Sequence, residues 1–355
     1  MAPLIIGGGP AGSAAALALA ARGIRATMIE RDTVVRDAIC GGFMSWQTLA
    51  ALDSLGIDPG GHAVQRVVVY VGQKAASAPL PAKAVGLSRR ALDRVMRQAA
   101  GTRGVAIERG AEAREIAGTK VRLADGTTLN SEAVFLAVGK HDLRGAARPR
   151  NDADPTLGLR LRLPEHPGLT ALIGDAIELH LFDRGYVGLV CQEDGSANLC
   201  LAVRKSRLAE AGGRPEALLA QIGAGTPLGD RLAYASTTPV DAIAAVPYGW
   251  RTAETVFGLF RLGDQAAVIP SLAGEGIGIA VASGIAAAHA FAKDGPAAAM
   301  TYQRDFARRT RRPVSAARML WHGAEQPMMA RLALPLFGAF PVLALLAARA
   351  TRIGS

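Results

Sequence analysis

Residues 7–12 read GGGPAG, between a short apolar run, Pro3-Leu4-Ile5-Ile6, and an alanine-rich stretch that closes at Gly23. A second apolar run, Ile24 to Ile29, ends in Glu30. Strand, glycine turn, helix, strand and terminal acid, in that order, are the parts a dinucleotide site needs. Gly7 permits the tight turn, Gly9 lets a pyrophosphate approach the backbone, and Gly12 lets helix and strand pack closely. Pro10 and Ala11 open the helix, whose first N–H groups and positive potential face the phosphates. Glu30 would accept hydrogen bonds from an adenosine ribose. Arg31 follows it directly, and the pair does not by itself separate FAD from NAD.

A second group of residues stands far along the chain. Val256 to Leu262 reads as a strand, Gly263-Asp264 ends it, and a loop runs to Gly274-Glu275-Gly276. From Ile277 an apolar helix continues to about Phe291. A carboxylate at a strand end, beside a second helix N-terminus, suits a polyol chain. FAD has one in its ribityl group and NAD does not.

Between the two lies CGGFMSW. Cys40-Gly41-Gly42 reads as a turn with a buried thiol, as a redox centre, or as a loop that lets backbone lie against a ligand. No CxxC partner supports the redox centre. The glycines precede an expected amphipathic helix, Phe43 to Leu55, stopped by Gly56. Trp46 either lines a pocket there or belongs to the apolar set with Phe43, Leu49 and Leu52.

The elements that must position these residues follow from pattern. Residues 64–71 and 77–87 read as a hairpin with PLP at its bend, followed by a helix from Arg89 to Ala100. VAIERGAEAREI, KVRLADGTTL and AVFLAVG read as strands with a turn at Asp125-Gly126. Residues 151–255 alternate as strands (GLRLRL, AIELHLF, YVGLVCQ, ANLCLAV), with a helix near Arg214 to Ile222, so an antiparallel sheet with one face over a cavity is expected. His180 and Tyr186 lie in that sheet, as candidate proton donors or as strand residues facing solvent. From Ala297 the chain reads as helical and basic, then apolar. The expected division is an FAD-binding domain of 1–61, 88–150 and 256–295, a substrate domain of 62–87 and 151–255, and a helical C-terminal region of 296–355.

Composition narrows the class. The chain has 355 residues, 50% of them hydrophobic, enough to bury a sizeable core. Its formal charge of +10 favours anionic partners such as a cofactor or a membrane surface, and a solvated basic surface explains it equally well. Nucleic acid is disfavoured, since no aromatic-studded basic stripe, zinc spacing or recognition-helix pattern occurs. Three cysteines cannot form a disulfide framework, and a cytoplasmic, reducing compartment is expected. Leu332 to Ala348 is barely long enough to span a bilayer and is interrupted by Pro335 and Pro341. Six arginines between Arg304 and Arg318 either meet lipid headgroups beside it or cap the substrate domain in water.

With GGGPAG, Glu30, CGG, LSRRALDRVM and GDQAAVIPSLAGEGIGIAVASG, the chain resembles the FAD-dependent reductases and monooxygenases of the para-hydroxybenzoate hydroxylase fold. Within that group it is most similar to the geranylgeranyl reductase family, which carries Cys-Gly-Gly after the first unit. The matching covers about residues 3–140 and 255–292. The resemblance implies an α/β fold, with a Rossmann-type, three-layer ββα FAD-binding domain interwoven with an antiparallel-sheet substrate domain. It implies FAD on Gly7, Gly9, Pro10, Ala11, Gly12, Glu30 and Arg31, with Gly41 and Gly42 near the flavin. Asp264 after Gly263 would bind the ribityl hydroxyls, and the backbone of Gly274, Gly276 and Ile277 would lie near the flavin pyrimidine edge.

The family places an arginine four residues before an aspartate on the helix after the first hairpin, so Arg89 with Asp93 is the FAD-contacting arginine and Arg90 its alternative. Gly139 resembles the turn at which such chains return to the cofactor. Aromatic hydroxylases of the fold usually have an Asp-Gly pair in this region, where Lys140-His141 follows Gly139. The family's Tyr-x-Trp-x-Phe-Pro signature keeps only Tyr186. The implied reaction is reduction of a carbon–carbon double bond in an apolar molecule, with NADPH or NADH as donor and Cys40, Trp46 and Tyr186 as candidate catalytic residues. Hydroxylation of an aromatic or polyketide-like metabolite is the alternative, and a non-enzymatic flavoprotein or membrane-bound scaffold a third.

Overall fold

A computed structural model describes residues 2–149, 153–235, 240–243 and 246–354. The expected domain boundary at 150/151 lies outside the described residues. Three apolar residues form β1 (Leu4–Ile6), and Pro10 at the first helical position starts α1 (Pro10–Ala20). The turn between them needs Gly7 at φ +99° and a bare Gly12, where a Cβ would stand 1.9 Å from the Gly7 carbonyl oxygen.

Around this unit a five-stranded parallel sheet runs in the order β16 (Leu259–Arg261), β10 (Val134–Leu136), β1, β2 (Thr27–Glu30), β6 (Ala106–Arg109). Alternate residues serve two cores. Ile5, Met28, Phe135 and Phe260 pack against α1, α3 (Arg89–Thr102) and α8 (Gly276–Asp294). Leu4, Ile6, Ile29, Val134 and Leu136 pack against a small antiparallel sheet of β7 (Ala113–Ala117), β8 (Lys120–Leu123) and β9 (Thr128–Asn130). The result is the expected three-layer ββα arrangement. The Asp125-Gly126 turn joins β8 to β9, the Asp125 carboxylate accepting from the Thr127 N–H at 2.9 Å.

The second sheet has eight strands, in the order β15 (Asp241–Ile243), β11 (Thr156–Leu163), β14 (Ala197–Arg204), β13 (Gly185–Cys191), β12 (Ala176–Phe182), β4 (His62–Val71), β5 (Lys74–Gly86), β3 (Phe43–Met44). It is mixed rather than antiparallel throughout, because β4 meets β12 in parallel. These strands come from distant parts of the chain, so no hairpin dictates their direction. The β4–β5 bend falls at Gly72 (φ +62°) and Gln73, not at PLP. Pro79-Leu80-Pro81 instead lies within β5, where the register with β4 shifts just after the Arg66–Pro79 pair. Phe43 and Met44 likewise form a strand, paired with Gly86 and Val85. The helix begins only after Ser45, whose hydroxyl accepts from the Thr48 N–H and caps α2 (Trp46–Asp53).

Short helices α4 (Pro167–Ile173), α5 (Lys205–Glu210), α6 (Pro215–Gly223) and α7 (Pro227–Leu232) support this sheet. The C-terminal region forms α9 (Ala299–Ala324), α10 (Pro327–Ala339) and α11 (Pro341–Ala350). Pro335 sits inside α10, and the break falls at Pro341 alone, where the axes turn by 110°. The run from Gly276 to Ala324 is also long and apolar enough to cross a membrane, and 56% of its apolar window is buried in the core.

Helices α1 and α8 cross where Gly284 leaves space for backbone. A Cβ there would stand 2.4 Å from the Ala11 carbonyl oxygen. Gly284→Val should therefore destabilise the fold by about 3 kcal/mol in urea unfolding. Gly323→Ala, on α9 where nothing stands within 4 Å, should be neutral or gain up to about 1 kcal/mol.

Candidate functional site

Glu30 is buried at the end of β2. Its Oε2 accepts hydrogen bonds from the Gly8 N–H (2.7 Å) and Arg97 Nη2 (3.0 Å), and its Oε1 accepts from the Asp32 N–H (3.1 Å). Arg97 Nε donates to the Gly8 carbonyl at 2.7 Å, so one guanidinium ties the glycine turn to the acid. Arg31 turns outward, with 44% of its side chain exposed and Asp32 3.9 Å away.

Arg89, Asp93 and Arg97 recur every four residues on α3 and share its face toward the glycine turn. Arg89 grips Asp93 through Nε (3.1 Å) and Nη2 (3.0 Å). Burial opposes its charge, but the Asp93 carboxylate prevails and holds the guanidinium above its ordinary pKa. A Cβ on Gly9 would meet only Arg89 Nη2, at 3.3 Å. Arg90, the alternative, is exposed, with its backbone N–H donating to Asp37 at 3.2 Å. Ser88 caps α3 by accepting from the Ala91 N–H, and donates its own hydroxyl to Glu193 of the substrate sheet at 2.5 Å.

The turns after β10 and β16 are cross-linked. Gln265 Nε2 donates to the carbonyls of Gly139 (2.8 Å) and His141 (2.7 Å). The buried Arg148 donates to the carbonyls of Asp264 (3.1 Å) and Lys140 (2.7 Å) and to Asp142 (2.8 Å). The Asp264 carboxylate, 22% exposed, stands 3.8 Å from Lys140 Nζ. Lys140 thus supplies a cation beside Asp264.

The glycines sort into two kinds. Gly41, Gly139 and Gly276 have nothing within 4 Å where a side chain would project. By contrast, a Cβ on Gly42 would stand 2.8 Å from Gln192 Nε2, on Gly263 3.3 Å from the Ala11 side chain, and on Gly274 2.8 Å from Phe43. At these three the positive φ angles and the lack of a Cβ let the loops pack against protein. Ile277 and Ala11 bury their side chains, leaving only first-turn N–H groups to offer. The open glycines, the Glu30 and Asp264 carboxylates and the Arg89 guanidinium fit an extended dinucleotide carrying a polyol, as in FAD.

On the substrate sheet, Tyr186 donates to Ser271 Oγ at 2.8 Å, and Tyr248 shares the same hydroxyl at 2.5 Å. Trp321 meets both rings edge-on, and Leu179, Leu181, Ala202 and Leu272 complete an apolar wall. Burial raises Tyr186 well above its ordinary pKa and pushes Tyr248 up to about 12, so both phenols stay protonated at neutral pH.

The Cys40 carbonyl accepts from the Cys200 thiol (2.8 Å) and Asn198 Nδ2 (2.9 Å), which fixes the CGG loop to this sheet. Burial and the neighbouring Cys40 push the Cys200 thiol up to about 12, and all three cysteines are free. His180 neither faces solvent nor joins this wall. It lies on the opposite face, 3.0 Å from Glu178 Oε2 and stacked on Tyr70, because it pairs with Val187 and not with Tyr186.

Residues 1–131 match the family model described as an FAD binding domain. In fold, the chain is similar to Pseudomonas aeruginosa PqsL, a probable FAD-dependent monooxygenase whose structure in complex with 2-aminobenzoylacetate is known. The TM-score is 0.76, identity is 17%, and 93% of this chain and 98% of PqsL are covered. A geranylgeranyl bacteriochlorophyll reductase-like protein from Thermoplasma acidophilum superposes at TM-score 0.77, with 19% identity over 99% of this chain and 96% of its own. A flavoprotein/dehydrogenase from Cytophaga hutchinsonii gives 0.80, with 16% identity over 98% and 92%. Residues 1–131 thus form an FAD-binding domain, and the chain as a whole has the fold of these flavoproteins. Comparison with curated protein sequences gave no match.

The site has one further device that the sequence pattern does not reveal. Glu275, fully buried before α8, accepts from Ser45 (3.0 Å), from the Ile353 N–H (3.3 Å) and from Arg352 Nη1 (2.5 Å). Burial lifts the Glu275 carboxyl above its ordinary range, against the pull of Arg352. The guanidinium also lies over the Trp46 ring at 5.1 Å. Trp46, a candidate catalytic residue from sequence, is thus the platform for the arginine that holds the Glu275 loop, a positioning role. Its partner stands 306 positions away in the chain, beyond the reach of any local pattern.

Two outcomes follow. Arg352→Gln should cost about 3 kcal/mol in urea unfolding by stranding the buried carboxylate, and adding Glu275→Gln should recover most of it. Arg89→Met should raise the FAD Kd at least about tenfold in a fluorescence titration, by removing a charged donor beside Gly9.

Proposed function

We propose that this FAD-dependent oxidoreductase reduces a carbon–carbon double bond of an apolar small molecule, with NADPH or NADH as the external donor. Bound FAD would supply the hydride chemistry, leaving position, polarity and the proton to the chain. Glu30 would hold the adenosine ribose, Gly9 with Arg89 the pyrophosphate, and Asp264 the ribityl hydroxyls.

The observation that carries this reading is the Tyr186–Ser271–Tyr248 set at the apolar wall. Saturating a double bond requires a proton for the second carbon, and the Tyr186 phenol at this wall carries one. Ser271 connects Tyr186 to the less buried Tyr248, through which a proton could be replaced. The wall itself offers apolar contact and no counter-charge, which suits a hydrocarbon substrate. Cys40 shares this region, its carbonyl held by Cys200 and Asn198 and its thiol accepting from the Gly42 N–H at 3.5 Å.

Hydroxylation of an aromatic or polyketide-like metabolite is the second reading, favoured by the fold shared with PqsL. Lys140-His141 in place of an Asp-Gly pair weighs against it.

Strictly anaerobic turnover with NADPH, over unsaturated prenyl and phenolic substrates, separates the two. The reductase reading expects a product heavier by two hydrogens and no need for oxygen. Product that forms only in air, with oxygen incorporated, would overturn it. Tyr186→Phe should lower kcat about 100-fold with FAD affinity unchanged, while Cys40→Ser should leave kcat within a few fold if the glycines are the functional part of the loop.

A further inference from the structure

The exposed large apolar residues are concentrated at one end of the chain. Ten of the fifteen among the described residues fall between Met319 and Leu346. On α10 and α11 they include Met328 (73% exposed), Leu332 (69%), Leu336, Phe340, Leu343 and Leu346. The opposite side of the same helices is anchored. Ala330 and Leu334 pack on Val69, Val71, Ala76 and Leu181 of the substrate sheet, and Arg352 pins the end of the chain to Glu275. The outward face is therefore held rigidly in water by a buried inner face.

Charge around this elbow has one sign. Residues 306–355 contain eight arginines and a single acid, Glu325, which is bound to Arg204 at 2.6 Å. Arg311, Arg312, Arg318, Arg331 and Arg349 are exposed. A second copy of this face would meet like charge, whereas an anionic bilayer offers apolar depth and headgroup charge together. The geometry also separates lying on a membrane from crossing it. Helices of 13 and 10 residues are about 20 and 15 Å long, short of a hydrocarbon core of about 30 Å, and they turn by 110°.

We infer that the α10–α11 elbow docks the protein on an anionic lipid surface, inserting its apolar face with the arginines at headgroup level. This inference stands apart from the reaction proposed above, because the residues that carry it are not those of the flavin site.

The test is flotation of the full-length, FAD-loaded protein with vesicles of phosphatidylcholine alone or of phosphatidylcholine and phosphatidylglycerol, the flavin absorbance marking the protein. The wild type should float with the anionic vesicles, less so at high salt. Leu332→Glu with Leu336→Glu should stay at the bottom with its flavin spectrum unchanged. Arg331→Gln and Arg349→Gln should each weaken partition about fivefold, as expected for roughly 1 kcal/mol per arginine near the surface. Failure of the wild type to float, equal binding to both vesicles, or full binding by the Leu332/Leu336 variant would overturn the inference. So would a lipid-independent dimer that the same variant converts to monomer, which would make the face a self-interface.

Discussion

The Glu30 carboxylate, taken out of water at the end of β2, sets the terms for the rest of the molecule. A buried carboxylate is costly unless cations and donors surround it. Here Arg97 from α3 and the Gly8 N–H from the glycine turn do so. That one requirement draws together three separate pieces of chain: the nucleotide turn, the second strand and the helix that carries Arg89 beside Gly9. The same helix is capped by Ser88, whose hydroxyl reaches Glu193 of the other sheet. The cofactor domain and the substrate sheet thus share a polar joint before any ligand arrives.

Around that node the remaining loops are tied pairwise. Gln265 and Arg148 bind the turn after β10 to the turn after β16. Cys200 and Asn198 hold the carbonyl of Cys40. Arg352 holds Glu275 from the far end of the chain. Each tie joins backbone or carboxylate groups that would otherwise be buried without partners, so the loops expected around a flavin are set by the protein itself. Such preorganisation lowers the ordering cost of binding. Glycines complete the division of labour, some giving backbone room to pack on backbone and others leaving open space.

Local chemistry made part of this legible in sequence. The strand, turn, helix and acid of residues 3–30 lie within one short segment, and their spacing carries the meaning directly. Arg89 and Asp93 were legible only through the family resemblance, and Arg97, one helical turn further on the same face, carries no such signature. The strand at Phe43-Met44 was misread as helix because its partners, Val85 and Gly86, lie some forty residues away. His180 was misplaced because strand alternation gives two faces without saying which one meets the cavity. Arg148, Gln265, Ser271 and Arg352 act through carbonyls, hydroxyls or a carboxylate far off in the chain. Nothing in their immediate neighbours announces such partners.

The central claim is that this node and its tied loops form an FAD site. The visible spectrum of the purified chain, reconstituted with FAD and freed of excess by gel filtration, tests it most directly. The account predicts flavin absorbance that co-elutes with the protein in near-equimolar amount and bleaches on anaerobic reduction. Protein that elutes folded but without a flavin band would contradict it.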